Sequence, residues 1–137
     1  MIQRLSHTTV YVLDQDAAKD FYVNKLGFEV VMDESMGNGF RWLTVKPKGQ
    51  SEVQIILMKV DGPNIQPDVA VTLRDLLTRG KLGGGVLQTA DCRKTYEELK
   101  AKGVEFSSPP KDQFYGVETI MKDNSGNWFS LTQPKGM

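Results

Sequence analysis

The chain has 137 residues, and its 17 Lys and Arg residues balance its 17 Asp and Glu residues, so the formal net charge is zero. This length fits one domain with a core of its own. The neutral balance gives no reason to expect a nucleic-acid partner or an anionic membrane surface. No apolar run approaches the ~20 residues needed to cross a bilayer, and no apolar stretch typical of a secretory signal follows Met1. We expect a cytoplasmic domain whose partner is a small molecule or a protein.

The first sixty residues predict the element order βαβββ. A strand signal at 6–13 is followed by an acidic cluster at Asp14, which is suited to capping a helix, and Gly27 supplies a left-handed helix end. Three further segments rich in β-branched and aromatic residues predict strands at 28–32, 40–45 and 53–58.

The second half repeats this order after a connector over 61–84 that is rich in Gly and Pro and carries a short helix signal at 69–77. The helix ends of both halves share one pattern, in which Gly27 or Gly103 is followed by an apolar residue and a glutamate. The chain is thus predicted to be a single domain over 1–137 with two repeats, at about 1–60 and 85–134. The elements of the second repeat are a strand at 86–90, a helix at 92–102, and strands at 104–106, 117–121 and 128–132.

A duplicated βαβββ unit predicts the α+β class, with two modules forming a curled mixed sheet around a cavity. One helix from each half would pack on the outside of that sheet, which leaves a concave inner face for a ligand. Open sheet edges would also gain from a second copy of the chain, so we expect a homodimer.

Three segments carry a family resemblance that covers nearly the whole chain. They are the strand that begins at His7, the helix end from Phe21-Tyr22 to Leu26-Gly27-Phe28, and the turn Asp123-Asn124-Ser125-Gly126-Asn127-Trp128 before the last strand. Together they resemble the vicinal oxygen chelate superfamily, which includes glyoxalase I, bleomycin-resistance proteins, fosfomycin-resistance transferases and extradiol dioxygenases. The resemblance implies the same duplicated fold and a dimer.

Metalloenzymes of that superfamily hold one divalent metal through four protein ligands on the inner sheet face, and this chain matches one of the four. His7 corresponds to the first ligand in place and type. The second position corresponds to Gln54 or Ile56, neither of which is a carboxylate or an imidazole. Gly85 has no side chain at the third position, and Ser130 replaces the glutamate expected at the fourth. A catalytic metal usually has three protein ligands and one open position. We therefore expect no tightly bound metal and no cofactor.

Six residues are predicted to bind a ligand because strand alternation or the resemblance directs them to the cavity. They are His7, Trp42, Gln54, Tyr115, Trp128 and Ser130. His7 is the sole histidine and the one candidate general base, although a structural or ligand-contact role is favoured. Strand aromatics are more often core, and inward polar groups often satisfy one another, so each residue also has an ordinary structural interpretation.

Three other residues are considered for the site. Arg41 and Glu118 are strand charges that would bind an ionic ligand if they faced the cavity, but solvent-facing placement is the commoner outcome. Cys92 opens a helix beside Arg93 and Lys94, a setting that can lower a thiol pKa. The sole histidine is distant from Cys92 in sequence, so a catalytic role for this cysteine is disfavoured.

The leading hypothesis is a metal-independent small-molecule binder with a partly aromatic pocket, like the bleomycin-resistance branch. The alternative is a divalent-metal-dependent lyase, isomerase or dioxygenase with ligands from other positions. A metal-free acid–base catalyst that uses His7 with Tyr115 or Glu118, and a dimeric regulatory module with a vestigial cavity, also stay open. The neutral charge gives no specific support for a strongly cationic ligand such as bleomycin.

Overall fold

A computed structural model describes residues 1–50 and 52–136. Two sets of strands and helices follow one another along the chain, so the α+β class is confirmed. No helix in the described part is long and apolar enough to span a bilayer. The elements are β1 (His7–Val12), α1 (Gln15–Asp20) continued by a π-helical turn (Phe21–Lys25), β2 (Glu29–Ser35), β3 (Arg41–Lys46), β4 (Gln54–Lys59), α2 (Pro67–Thr78), β5 (Gly83–Gln88), α3 (Cys92–Ala101), β6 (Glu105–Phe106), β7 (Lys111–Gln113), β8 (Gly116–Lys122) and β9 (Trp128–Pro134).

Each half forms its own mixed sheet, and the two sheets have the same plan. The first has the order β1-β4-β3-β2 and the second the order β5-β9-β8-β6, with the short β7 paired to β8. β1 is parallel to β4 and β5 is parallel to β9, while the remaining pairs are antiparallel. Within the described residues, β1 and β5 each pair with a single strand and form one edge of their sheet.

The helix ends follow the capping signals in the sequence. Asp14 accepts from the backbone N–H of Ala17 at 2.8 Å, and Asp91 accepts from that of Lys94 at 3.1 Å, so equivalent aspartates start α1 and α3. Beyond the helical segments, Gly27 and Gly103 have φ values of 76° and 88°. This left-handed conformation favours glycine and ends both helices where the sequence predicts.

The two halves share one core, which lies between the sheets. α1 contributes Ala18 and its π-helical continuation adds Tyr22, whereas α3 contributes Cys92 and Leu99. The ring of Tyr22 lies 6.3 Å from that of Phe129 on β9, which joins the first half to the second. The sheets contribute the inner-facing residues Val10, Val12, Leu43, Val45, Ile55, Leu57, Met121, Phe129 and Leu131.

This common core changes the predicted arrangement of the modules. The sequence predicts one curled sheet with helices outside, but within one chain the helices lie between two separate sheets. The apolar sides of both helices and of both sheets are buried together in one cluster, which removes their apolar surface from water. Each sheet therefore has a second face that points away from the core.

The start of β5 also differs from the sequence prediction. The strand begins at Gly83, whereas the residue pattern predicts a strand from Val86, because glycine is disfavoured in strands. A Cβ at Gly83 would lie 2.8 Å from the Trp128 ring, and one at Gly84 would lie even closer to the ring of Phe129. The glycines thus allow two aromatic rings of β9 to lie directly against the β5 backbone.

Candidate functional site

The candidate site residues lie on the two sheet faces that point away from the core. Paired neighbours in a sheet share a face, and residues alternate along each strand. We define the first outer face by His7, Tyr11, Trp42, Thr44, Gln54, Ile56 and Met58, and the second outer face by Val86, Gln88, Glu118, Ile120, Trp128, Ser130 and Thr132.

The first outer face brings together three of the predicted ligand-binding residues. His7 on β1 is paired with Gln54 on β4, and both side chains are half-buried. The rings of His7 and Trp42 lie 5.7 Å apart between centroids, although β4 separates their strands. His7 Nδ1 lies 2.9 Å from the hydroxyl of Ser6. Imidazole, indole and amide groups therefore form one mixed aromatic and polar patch.

The second outer face brings together the other three. Ser130 donates to Glu118 Oε2 at 2.5 Å and lies 2.7 Å from the hydroxyl of Thr132. Tyr115, in the turn before β8, donates to Glu118 Oε1. This hydrogen bond raises the pKa of Tyr115, so the phenol keeps its proton. Trp128 lies on the same face and is 39% exposed.

Among the described residues, no hydrogen bond or ring contact joins the two patches of one chain. Neither a hydrogen bond nor a ring contact links His7, Trp42 or Gln54 to Tyr115 or Ser130, all of which lie in the described part. The buried core separates the sheets that carry them. The single cavity predicted from the sequence is therefore divided into two outward faces.

Arg41 and Glu118, the two charged strand residues considered from the sequence, lie on opposite kinds of sheet face. Arg41 lies on the inner side of β3 and binds Asp33 on β2 and Asp16 at the start of α1, at 2.8 and 2.7 Å. Hydrogen bonds from the guanidinium of Arg41, which has the larger effect, and from the ammonium of Lys19 hold the pKa of Asp33 far below its usual range. Arg41 thus has a structural role, whereas Glu118 belongs to the second outer face.

The donor set does not fit the metal centre of the related metalloenzymes. His7 on β1 and Gln54, its paired residue on β4, are on the first outer face. Gly85 has no side chain, and the Ser130 hydroxyl already donates to Glu118. Among residues 1–50 and 52–136, no three His, Cys, Asp or Glu side chains are grouped so that they could hold a metal ion. A histidine with an amide or a hydroxyl is a weak donor set for a divalent metal.

Cys92 lies in the core and not on either outer face. Its thiol is fully buried and donates to the carbonyl of Leu131 at 3.4 Å. Burial raises the pKa of this thiol, despite the lowering effect of Arg93. The possibility that the helix start lowers the pKa of the Cys92 thiol, which was considered from the sequence, is therefore wrong.

A separate groove opens beside β5 and has a volume of about 450 Å³. Its floor is apolar and includes Phe28, Leu87 and Leu99, and its rim carries Lys48 and Lys102. None of the six predicted ligand-binding residues lines it. The groove lies between the helix ends of the two halves and shares Val86 and Gln88 with the second outer face, so it is a second place where a ligand could bind.

Some members of the outer faces are not among the predicted residues. Ile56, Ile120 and Thr132 share the faces with the predicted residues, and Val86 is 69% exposed on the edge strand β5. Strand alternation from Gln54 and Ser130 finds Ile56 and Thr132, whereas Ile120 depends on the pairing of β8 with β9. Val86 depends on the register of the glycine-rich β5, which the sequence does not reveal.

Comparison with known proteins agrees with this architecture. The sequence profile of the Glyoxalase/Bleomycin resistance protein/Dioxygenase superfamily matches residues 4–131. The crystal structure of UcmS2 is similar, with 48% identity and a TM-score of 0.92 over 96% of this chain and 98% of that one. TnmS3, an antibiotic binding protein from Streptomyces sp. CB03234, has 32% identity and a TM-score of 0.76, with 98% of each chain covered. The uncharacterized protein YetH of Bacillus subtilis (strain 168) is 32% identical over 133 residues, which are 97% of this chain and 100% of YetH. The profile match spans both sheets and the core between them, and the chain therefore belongs to the Glyoxalase/Bleomycin resistance protein/Dioxygenase superfamily.

Proposed function

We propose that this chain is a metal-independent small-molecule binder that works as a homodimer. Its pocket would form where the first outer face of one copy meets the second outer face of the other. The observation that carries this proposal is the division of the aromatic and polar site residues between two outward faces of one core. One face alone is an open surface, whereas ligand pockets are concave and enclose most of their ligand.

The sheet edges support a dimer of this kind. β1 is the edge strand of the sheet that carries the first outer face, and β5 is the edge strand of the sheet that carries the second. Each pairs with one strand in the described part of the chain. An unpaired strand edge is a natural site for association with another chain. If β1 of one copy lies beside β5 of the other, a two-fold axis generates two such junctions and two equal pockets.

The chemistry of the two faces suits a flat, partly aromatic ligand. Trp42 and Trp128 offer indole surfaces for stacking, and His7, Gln54 and Ser130 offer hydrogen-bonding groups that would fix its orientation. The similarity to TnmS3, which is an antibiotic binding protein, supports the same class of function. The proposal also includes a cytoplasmic location and no nucleic-acid partner, because the formal charge is balanced.

Binding of aromatic probes tests this proposal. Trp42→Ala and Trp128→Ala should each weaken the binding of a fluorescent anthracene probe by about tenfold or more, because one buried aromatic contact contributes 1–3 kcal/mol. Lys102→Gln, at the separate groove beside β5, should leave the affinity unchanged. Titration calorimetry measures the constants. Loss of binding in Lys102→Gln, with both tryptophan variants unaffected, would assign the ligand to the groove instead.

Elemental analysis tests metal independence separately. The purified protein should carry no stoichiometric zinc, nickel, manganese or iron, and titration with these ions should show no tight site, since His7 is the sole imidazole donor. Stoichiometric metal that disappears in His7→Ala would contradict the proposal. That result would reinstate the lyase, isomerase or dioxygenase alternative.

A further inference from the structure

We propose that Glu118 determines the specificity of this pocket by selecting ligands that present an ammonium or another N–H donor to the second outer face. The inference rests on the proposed function and names the chemical class of ligand for that site. Glu118 lies on the second outer face. On β8 this residue is paired with Thr132 of β9, and its carboxylate reaches Ser130.

The carboxylate of Glu118 is held in place by uncharged groups. Ser130 donates to Oε2 at 2.5 Å, and Tyr115 donates to Oε1. The Ser130 hydroxyl is further oriented by Thr132, 2.7 Å away. A carboxylate accepts up to about four hydrogen bonds, so two acceptor positions stay open for a ligand. The network therefore fixes the carboxylate without using up its capacity.

The negative charge of Glu118 is not balanced by a cation within the described part of the chain. None of the ion pairs there includes Glu118. Lys111 is its paired neighbour on β7, but the Lys111 ammonium is not within 4.0 Å of the carboxylate. Lys122, two strand positions beyond Ile120, lies 3.8 Å from Glu105 instead. Glu118 thus has no direct ion-pair partner among the described residues, and Lys111 and Lys122 are the cations that share its face.

Covering that face has an energetic consequence for the ligand. An occupant that displaces water from a half-buried carboxylate must replace the lost hydrogen bonds, because an unpaired buried charge is costly. An ammonium supplies both the charge and the donors, and the exposed indole of Trp128 on the same face can also attract a cation. A ligand carboxylate would instead be repelled. The unpaired Glu118 carboxylate therefore favours a ligand that places a cationic group beside it, although the chain as a whole is neutral.

Three matched aromatic probes test this inference: 9-anthracenemethylamine, 9-anthracenemethanol and 9-anthracenecarboxylate. The wild type should bind the amine about tenfold more tightly than the alcohol, and the carboxylate more weakly than either, since a hydrogen bond to a charged group is worth roughly one factor of ten or more. Glu118→Gln, which keeps the size of the side chain, should remove this order by weakening the amine about tenfold and leaving the alcohol nearly unchanged. Glu97→Gln, which removes an equal charge from the exposed side of α3, should behave as wild type.

The outcomes separate the inference from the proposed function. If the probes bind wild type with equal affinity, or if Glu118→Gln lowers the affinity of all three alike, the pocket stands and the role of Glu118 is refuted. If none of the probes binds wild type, the aromatic pocket itself is refuted and the inference falls with it. Unchanged binding of the alcohol shows that Glu118→Gln is folded, so loss of amine selectivity then supports the inference.

Discussion

The hydroxyl of Tyr22 donates to Oδ2 of Asp123 at 2.7 Å, and this buried hydrogen bond joins the helix of the first half to the last turn of the second. Oδ1 of Asp123 accepts from the backbone N–H groups of Ser125, Gly126 and Asn127, each at 2.9 Å. The Asn127 amide donates to the carbonyl of Tyr11 at 2.7 Å. The turn that contributes to the family resemblance is thus a structural link between the halves and not part of the ligand site.

Tyr22→Phe should destabilise the protein by about 1.5–3 kcal/mol, the usual value for a hydrogen bond to a charged group. Burial is the main cause that raises the pKa of Tyr22, and the charge of the nearby Asp123 raises it further. The Tyr22 hydroxyl therefore keeps the proton that it donates. Urea unfolding measures the change in the free energy of unfolding. Tyr96→Phe is a matched control, because that hydroxyl only accepts a 3.3 Å contact from Lys100 and should contribute less than about 1 kcal/mol. Equal stability of Tyr22→Phe and wild type would contradict the linking role.

Asp33→Asn should destabilise the protein at neutral pH and have a smaller effect in acid. Hydrogen bonds from Arg41 and Lys19 lower the pKa of Asp33 from its ordinary value of 3.8. A lowered folded-state pKa stabilises the fold above the unfolded-state value, and this contribution is lost as the pH falls toward the folded-state value. The difference from wild type should be about 1–3 kcal/mol near pH 7 and should shrink near pH 3 in urea unfolding.

Asp75→Asn is the control for this pH dependence. Asp75 pairs with Arg79 on the exposed side of α2 at 2.9 Å, and both side chains are more than half exposed. Such a surface pair is worth less than about 0.5–1 kcal/mol. A difference between Asp33→Asn and wild type that is constant from pH 7 to pH 3 would show that the Asp33 carboxylate does not contribute through its charge.

Local features of the fold could be predicted from the sequence because they depend on neighbouring residues. Gly27 and Gly103 mark the helix ends, and alternation correctly separates Trp128 from the buried Phe129. The arrangement of the modules could not be predicted in this way. It depends on which apolar surfaces pack together, and contacts such as Tyr22 with Asp123 join residues a hundred positions apart.

The candidate site shows the same limit. The sequence identifies the residue types, but strand alternation alone does not say which face of β3 or β8 is buried, so Arg41 and Glu118 could not be distinguished. Their binding partners distinguish the two residues in the structure. Arg41 forms ion pairs with Asp16 and Asp33 on the side of α1, and Glu118 accepts a hydrogen bond from Ser130 on the second outer face. The role of all site residues in ligand binding stays a prediction.

Cys92 should be unreactive in the folded protein. Its thiol is fully buried and its pKa is raised by burial, so both access and thiolate formation are unfavourable. Iodoacetamide at pH 7.5 should label Cys92 only at the rate at which the protein opens, and should label it readily in urea. Mass spectrometry of the intact chain gives the fraction modified. Complete labelling of the native protein within minutes would contradict the burial of this residue.

The most direct test of the shared pocket is complementation between two inactive variants. Trp42→Ala removes an aromatic contact from the first outer face, and Glu118→Gln combined with Trp128→Ala alters the second, so neither homodimer should bind 9-anthracenemethylamine tightly. When the two chains are unfolded, mixed in equal amounts and refolded, random pairing makes half of the dimers mixed, and each of these has one unaltered pocket. Titration calorimetry should then show about a quarter of the wild-type number of tight sites. No recovery of tight sites in a mixture that contains mixed dimers would contradict a pocket shared by two copies.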